Sequence, residues 1–243
     1  MSGTCTIIIP IFNEEKNAAN MAKSIREMYP DFYVSFMDDN STDKSKELVE
    51  ALRDPKINFC VRNPEERGLA ASCFQGILES KTDYFMTIDC DFQHPIETLG
   101  RMYTEMEKGY DLCIGVRDNR HIMGFARTAG SWTFNIMADI YLMSLGKQGS
   151  PDVMSGLYAG RCDVFQPVIK EHFDELEMKG WKVLMDLLKY GPRNLKITSI
   201  HYMFEEREHG ESHLNLNVVT TSFHQMGRLG KFMAKFWIAF KKC

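Results

Sequence analysis

The chain has 243 residues, 44% hydrophobic and 26% charged, with 29 basic and 33 acidic side chains and a net charge of −4. That length fits one large α/β domain or two small ones, and that composition fits an ordinary globular protein. The acidic balance argues against a nucleic-acid partner, and seven scattered cysteines with no CxxC pair read as reduced, buried thiols rather than disulfides or a zinc site.

Thr4 to Ile9 is apolar and β-branched and is ended by Pro10, which predicts a first strand. Too few residues precede it for a secretory leader. Asn13 is placed to cap a helix reaching about Met28, with Glu14 and Glu15 at its positive end. Ala18, Met21, Ala22, Ile25 and Met28 recur at helical spacing. Phe32 to Met37 is the second strand. It runs into Asp38-Asp39-Asn40-Ser41-Thr42-Asp43, a polar turn that caps a helix to about Leu52. Ile57 to Val61 is the third strand, and Gly68 opens a helix to about Leu78. Tyr84 to Ile88 is the fourth strand, Ile96 to Met106 a helix, and Leu112 to Val116 the fifth strand. Strict alternation predicts βαβ crossovers and a mainly parallel sheet with helices on both faces. Such sheets bind ligands beyond the carboxyl ends of their strands. Pro10 to Glu14, Asp38-Asp39 and Asp89 to Gln93 all fall there.

The second half is less regular. Arg120 to Leu145 reads as a helix, with Arg127 and Ser131 one turn apart. Asp152 to Arg161 is a loop or short strand, Trp181 to Lys189 a helix, Leu195 to Phe204 a strand, and Glu205 to His213 a charged loop. Val218 to Lys242 reads as an amphipathic helix. Leu229, Phe232, Met233, Phe236, Trp237 and Phe240 share one face, and Arg228, Lys231, Lys235 and Lys242 lie on the other. The expected division is a domain over residues 1–215 and an amphipathic helix over 216–243. No apolar run approaches the ~20 residues that span a bilayer, so work at a membrane would be done from its surface, with the tail in the interface. The plainer alternative is that the tail packs on protein.

The most chemical stretch is Asp89-Cys90-Asp91-Phe92-Gln93-His94-Pro95. In extended chain, residues two apart point the same way. Asp89, Asp91 and Gln93 would then converge while Cys90 and Phe92 point inward, and Pro95 suits the first turn of the next helix. Paired oxygen ligands at a strand end fit a hard cation such as Mg²⁺ or Mn²⁺. Other motifs are missing. There is no GxGxxG after a strand and no GxxxxGK[ST]. His209 and His213 are four apart, but Glu208-His209-Gly210-Glu211-Ser212-His213 is not HExxH and reads as a loop, so it makes a poor zinc site. Taken singly, the residues have bland readings: an Asp-rich turn, surface ion pairs for Arg117 and Arg127, an exposed Ser131, a turn and cap for Asp38 and Asp43.

The ordered set is more specific. Pro10-Ile11-Phe12-Asn13-Glu14-Glu15, Asp38 to Asp43, Arg67-Gly68-Leu69 before a helix, and Asp89-Cys90-Asp91 together resemble the inverting glycosyltransferase family two, with the GT-A nucleotide-sugar fold. Asp91-Phe92-Gln93-His94-Pro95, Ile114-Gly115-Val116-Arg117, Asp152-Val153-Met154-Ser155-Gly156 and Glu206-Arg207-Glu208-His209-Gly210-Glu211-Ser212 are similar to its polyprenyl-phosphate branch, the dolichyl-phosphate mannose synthases and bactoprenol glucosyltransferases. The resemblance covers residues 5 to 215. It implies an α/β GT-A fold and a metal-dependent, inverting transfer of a hexose from a UDP- or GDP-sugar to a polyprenyl phosphate. Pro10, Phe12 and Glu14 would line the nucleotide pocket. Asp39 would bond the base, with Asp38 supporting the turn. Asp89 would orient the ribose side and share the metal with Asp91 and Gln93. Arg117, Arg127 and Ser131 would grip the acceptor phosphate, and Arg207 the donor diphosphate. A phosphate acceptor is already ionised and needs no general base; a sugar hydroxyl would need one, and Asp152 is then the candidate.

The pattern departs from that branch at three places, the first being Asn40 in the turn where many relatives have Gly. Tyr158 follows Ser155-Gly156-Leu157 where relatives often carry Arg, and His213 stands where Lys is usual. Other readings are transfer to a saccharide hydroxyl, a nucleotide-sugar-binding protein without catalysis, and a nucleotidyltransferase, whose Gly-rich basic N-terminal loop is missing. The expected setting is the cytoplasmic face of a membrane, with peripheral contact and self-association both open.

Overall fold

The computed structural model describes residues 3–119, 125–180 and 182–205, with the backbone alone for 125–131. Arg207, His209, His213 and the tail lie outside the described residues, as do the side chains of Arg127 and Ser131.

The described elements run β1 (Cys5–Ile11), α1 (Ala18–Met28), β2 (Tyr33–Asp38), α2 (Ser45–Glu50), β3 (Ile57–Val61), α3 (Leu69–Glu79), β4 (Tyr84–Thr87), α4 (Glu97–Glu107), β5 (Leu112–Arg117), α5 (Phe125–Ser144), β6 (Tyr158–Arg161), α6 (Cys162–Glu171), α7 (Val183–Tyr190) and β7 (Ile197–Tyr202). Among the described residues the strands form one seven-stranded sheet in the order β3-β2-β1-β4-β6-β5-β7. Every pairing is parallel except the two made by β6, which is antiparallel to both β4 and β5. The expected mainly parallel α/β sheet is what forms.

The apolar runs explain why. A strand covered on both faces must be apolar at every position. In β1, Ile8 packs into one core with Phe74 and Ile77 of α3 and Leu184 and Leu187 of α7. Ile7 and Ile9 pack into the other, with Met21 and Ile25 of α1 and Leu99 and Met102 of α4. Among the described residues no helix is long and apolar enough to cross a membrane.

Several local expectations change. Asn13 does not cap α1, which begins at Ala18. Asn13 has φ 57°, and its side-chain oxygen accepts from Thr42 N at 2.9 Å, so it ties the β1 end to the β2 turn. Met28 is exposed rather than buried, and Ile25 is the last buried residue of α1. Pro95 precedes α4 instead of starting it, and its carbonyl accepts from Thr98 N at 3.0 Å. The helix expected from Trp181 begins at Val183. The sequence pattern predicts no element over 162–180, yet α6 lies there with Pro167 inside it. An internal proline breaks a helical pattern on paper. β6 is legible in the sequence only as a loop or short strand. Its Gly160 is there because a Cβ would lie 2.5 Å from Phe85 Cζ and 3.0 Å from Phe165 Cδ2.

Candidate active site

The carboxyl ends of β1, β2, β4 and β5 lie along one edge of the sheet, and the amino end of antiparallel β6 joins them. At the β1 end, Phe12 is exposed, with the Arg67 guanidinium 4.9 Å from its ring centroid. Such a stack presents a flat, partly cationic face. Glu14 Oε2 accepts from Asn17 Nδ2 at 2.8 Å. Pro10 sits in register with Met37 of β2.

At the β2 end the two aspartates do different things. Asp38 is buried and accepts from Ser41 N at 3.0 Å and from the Ser41 hydroxyl, which shapes the turn. Asn40 takes φ 63°, a conformation that asparagine tolerates. Asp39 accepts from Gly68 N at 3.0 Å, from Ser72 Oγ at 2.8 Å and from the buried guanidinium of Arg62. Gly68 precedes α3, so Asp39 also places a negative charge at a helix N-terminus. Gly68 is needed because a Cβ there would lie 2.3 Å from the Met178 carbonyl oxygen. Arg62 and Ser72 carry no signal of their own in the sequence.

At the β4 end the strand stops at Thr87 and the chain turns, with Phe92 at φ 59°. The simple two-residue alternation therefore does not extend through 89–93. Cys90 is buried as expected and Phe92 half-buried against the core. Asp91 is 5% exposed, and its Oδ1 accepts from Gln93 N at 3.1 Å. Gln93 donates its side-chain amide to the Glu205 carbonyl at 3.2 Å, tying this loop to the segment after β7. Asp89 is more open, and its Oδ2 meets His94 Nε2 at 3.3 Å. His94 is buried, and its Nδ1 meets the Tyr202 hydroxyl at 2.8 Å. A carboxylate brings no hydrogen, so in the neutral ring Nε2 donates to Asp89 and Nδ1 accepts from Tyr202. Burial pushes the Tyr202 phenol well up, which keeps that donor protonated. A histidine fixed from behind orients the carboxylate it holds. His94 belongs to the sequence motif, but its role comes only with Tyr202, which is distant in sequence.

These carboxylates also bear on two buried thiols. Burial first, then Glu14, Asp91 and Asp89, push the Cys90 thiol up. Burial first, then Asp89, with Asp39 adding to it, push Cys73 to about 12.

The β5 end brings a cation. Arg117 donates from Nη2 and Nε to Asp152 Oδ2, at 3.0 and 3.2 Å. Asp152 is 0% exposed, and its Oδ1 accepts from Met154 N at 3.2 Å. The loop from Asp152 to Leu157 then passes beneath Asp89. Thr87 Oγ1 donates to the Gly156 carbonyl at 2.8 Å, and a Cβ on Gly156 would lie 3.1 Å from Asp89 Oδ2. Gly156→Ala must therefore displace the Asp89 carboxylate by a few tenths of an ångström. Since a displacement of about 1 Å costs roughly a hundredfold in rate, we expect a transfer rate roughly fivefold lower. The melting temperature should change little; equal rates for variant and wild type would show that Asp89 needs no exact position.

Among the described residues, no group of three or more His, Cys, Asp and Glu side chains is placed to hold an ion alone. The donor set still fits a hard cation of the Mg²⁺ kind. Such ions take one or two carboxylates and fill the remaining positions with water and substrate phosphate oxygens, and Asp89 and Asp91 offer two carboxylates just past the end of β4.

Acidic strand ends at the carboxyl edge of a mainly parallel sheet, one strand reversed, mark the place where such folds bind their ligands. The solved structures agree in fold. The glucosyl-3-phosphoglycerate synthase of Mycobacterium tuberculosis, crystallised with Mn²⁺, uridine diphosphate and glucosyl-3-phosphoglycerate, aligns with a TM-score of 0.58 at 15% identity, covering 93% of this chain and 80% of that one. Residues 6–169 match the family model described as Glycosyl transferase family 2, and the chain belongs to that family. It is similar to the dolichol-phosphate mannosyltransferase of Pyrococcus furiosus, 27% identical over 93% of this chain, although it spans only 64% of that relative's length. The enzyme of the same name from Saccharomyces cerevisiae is 25% identical over 96% of this chain and 89% of its own. The polyprenol monophosphomannose synthase of Mycolicibacterium smegmatis is 24% identical over 92% and 86%.

Proposed function

We propose that this protein moves a hexose, with inversion, from a UDP- or GDP-sugar to a polyprenyl phosphate. The observation that carries the reading is that one sheet edge holds two carboxylates, Asp89 and Asp91, and an arginine, Arg117, whose carboxylate partner, Asp152, is fully buried. The relatives named for dolichol and polyprenol phosphates support the lipid acceptor.

In this reading Pro10, Phe12 and Glu14 line the nucleotide pocket. Asp39 bonds the base. Arg62, Ser72 and Gly68 occupy three of its four or so lone-pair positions and leave one on Oδ2. Asp91, with Asp89 and Gln93, would hold Mg²⁺ or Mn²⁺, which supplies neutralising charge at the leaving diphosphate. Arg207 adds to that charge. Arg117, Arg127 and Ser131 hold the acceptor phosphate in line with the anomeric carbon. Arginine suits this role because its planar fork bonds two phosphate oxygens at once. The phosphate oxygen attacks, the nucleoside diphosphate leaves, and no proton is moved.

A saccharide acceptor would need Asp152 as base, but that carboxylate has no exposed surface and both its oxygens accept hydrogen bonds. Residues 1–215 would form the catalytic domain. The 216–243 tail would rest on the cytoplasmic face of a membrane, beside the lipid acceptor.

The test is a transfer assay with undecaprenyl phosphate, Mg²⁺ or Mn²⁺, and UDP-glucose or GDP-mannose in separate tubes. Extraction and mass measurement of a hexosyl-lipid is the expected result. Nucleoside diphosphate release only when an oligosaccharide is supplied would overturn the lipid acceptor and the Arg117–Arg127–Ser131 assignment together.

A further inference from the structure

Beyond the ends of β5 and β7, the pairing of the two strands continues through a side chain. The strands finish with Arg117 in register with Tyr202, and Asp118 N donates to the Tyr202 carbonyl at 3.0 Å. Asn119, which is buried, then acts as the next rung. Its Nδ2 donates to the Phe204 carbonyl and its Oδ1 accepts from Phe204 N, each at 2.7 Å. The following residue is held from the other side. Glu205 N donates to the Gln93 carbonyl at 2.9 Å, and the Gln93 side-chain amide returns a bond to the Glu205 carbonyl at 3.2 Å. Residues 204 and 205 therefore tie the exit of β5 to the loop that carries Asp91 and Gln93. The Phe204 ring uses that placement. Its centroid lies 5.7 Å from the Arg117 guanidinium carbon and 5.2 Å from the centre of the His94 ring, which it meets edge to face.

We propose that Phe204, fixed by Asn119, is a positioning residue for the acceptor phosphate: its ring steadies the plane of the Arg117 guanidinium, and its backbone sets that plane relative to the loop of Asp91 and Gln93, an inference that rests on the lipid-phosphate reading above. The choice of an aromatic ring follows from what Arg117 has to do. Asp152 already accepts from its Nε and Nη2. A second carboxylate would also fix the guanidinium, but it would take further N–H donors and leave the three groups net negative, repelling a phosphate. A ring face attracts the cation without taking an N–H through a lone pair and without adding charge.

The backbone pairing answers a second need. In-line transfer requires the phosphate and the anomeric carbon at a set separation, and a misplacement of about 1 Å costs roughly a hundredfold in rate. Arg117 ends β5 while Asp89 and Asp91 lie past the end of β4, and β6 separates those two strands in the sheet. The Asn119–Phe204 and Glu205–Gln93 bonds bridge the two ends directly.

The experiment measures acceptor KM, donor KM and kcat with undecaprenyl phosphate, Mn²⁺ and whichever of UDP-glucose and GDP-mannose the wild type uses. It compares the full chain with Phe204→Leu, Phe204→Tyr, Asn119→Leu and the double leucine variant. Leucine fills much of the ring's volume without a π face, and tyrosine keeps the face. We expect Phe204→Leu to raise the acceptor KM about fivefold, the size of one cation–ring contact, and to leave the donor KM unchanged. Its kcat should fall several-fold, as expected for a phosphate held off line. Phe204→Tyr should keep wild-type values. Asn119→Leu should reproduce the acceptor-side loss, and the double variant should lose no more than the worse single one, because both act through one ring. An unchanged acceptor KM in Phe204→Leu, an equal rise in donor and acceptor KM, equal losses for leucine and tyrosine, or additive losses in the double variant would each overturn the proposal. Should Asn119→Leu not fold, the two Phe204 variants decide alone; should Phe204→Leu not fold, Phe204→Met takes its place. Wild-type protein that makes no hexosyl-lipid overturns the inference and the lipid reading together; an active wild type with indifferent variants overturns the inference alone.

Discussion

Asp91→Ala is expected to lower sugar transfer by about a thousandfold or more. Electrostatic stabilisation of charge developing on a leaving group usually dominates catalysis in such sites, and an ion held by Asp91, as proposed above, would supply several kcal/mol. At about 1.4 kcal/mol per tenfold, losing it accounts for a factor of that size. Asp91 lies at the turn after β4, 5% exposed, with one oxygen already held by Gln93 N. Because that position is buried, Asp91→Asn, which keeps the volume and an acceptor for Gln93 N, controls for loss of folding. Calorimetric titration of nucleotide with and without Mn²⁺ gives the second readout. Wild-type affinity should rise with the ion and the variant's should not. A variant that still turns over, or that binds nucleotide with the same dependence on Mn²⁺, would move the ion elsewhere and remove the central claim about this crevice.

Arg62→Met should act on stability and on the nucleotide together. Arg62 is almost wholly buried and donates to four acceptors: the Asp39 carboxylate, Ser72 Oγ at 3.0 Å, Gln75 Oε1 at 2.8 Å and the Glu66 carbonyl at 3.1 Å. Taking one partner from a buried ion pair costs about 3–5 kcal/mol, because the other charge stays buried. For a domain of this size, each kcal/mol lowers the melting temperature by about 2–4 °C. The expected drop is therefore roughly 6–20 °C. Lysine should not rescue it, since a single ammonium cannot reach four acceptors set in a fork. UDP or GDP should raise the melting temperature of the wild type and do so less in the variant, whose Asp39 has lost its fixed direction. A variant melting within about 2 °C of wild type would show that the network is ornamental.

The sheet and its acid-bearing edge were legible because they depend on local pattern. β1 to β5 each announce themselves by a short apolar run and a polar end, and the alternation with helices leaves little choice of topology. What stayed hidden depends on contacts distant in sequence. Asp39 reads as half of an acidic pair, yet its working partner is Arg62, one basic residue among many, at the far end of β3. Arg117 and Asp152 both stand out in the sequence, one for a phosphate and one as a base. Only the fold shows that they are paired with each other. Lys182, beside Trp181 and before an apolar helix, looks like an ordinary flanking charge, and only the fold shows it buried against the Phe134 ring of α5. His94 stands inside the acidic motif, but nothing local says that Tyr202 of β7 holds it. α6 is disguised by Pro167, and β6 by its brevity and its glycine.

The reversed strand has a consequence for how the molecule is made. β1 to β4 can pair with one another as they leave the ribosome, since each new strand joins β1 or β2 directly. β5 cannot. Among the described residues its sheet neighbours are β6 and β7, and both are synthesised after the whole of α5. Until the chain has been made through Arg161, the growing protein holds a four-stranded sheet with β4 as an open edge, and β5 and α5 have no sheet to join. Unpaired strand edges of that kind invite misassociation. Arrival of β6 closes that edge, seats β5 on its other side and brings Asp152 to Arg117. The edge that carries Asp39, Asp89 and Asp91 is thus laid down early, and the Arg117–Asp152 pair is completed by a single late strand.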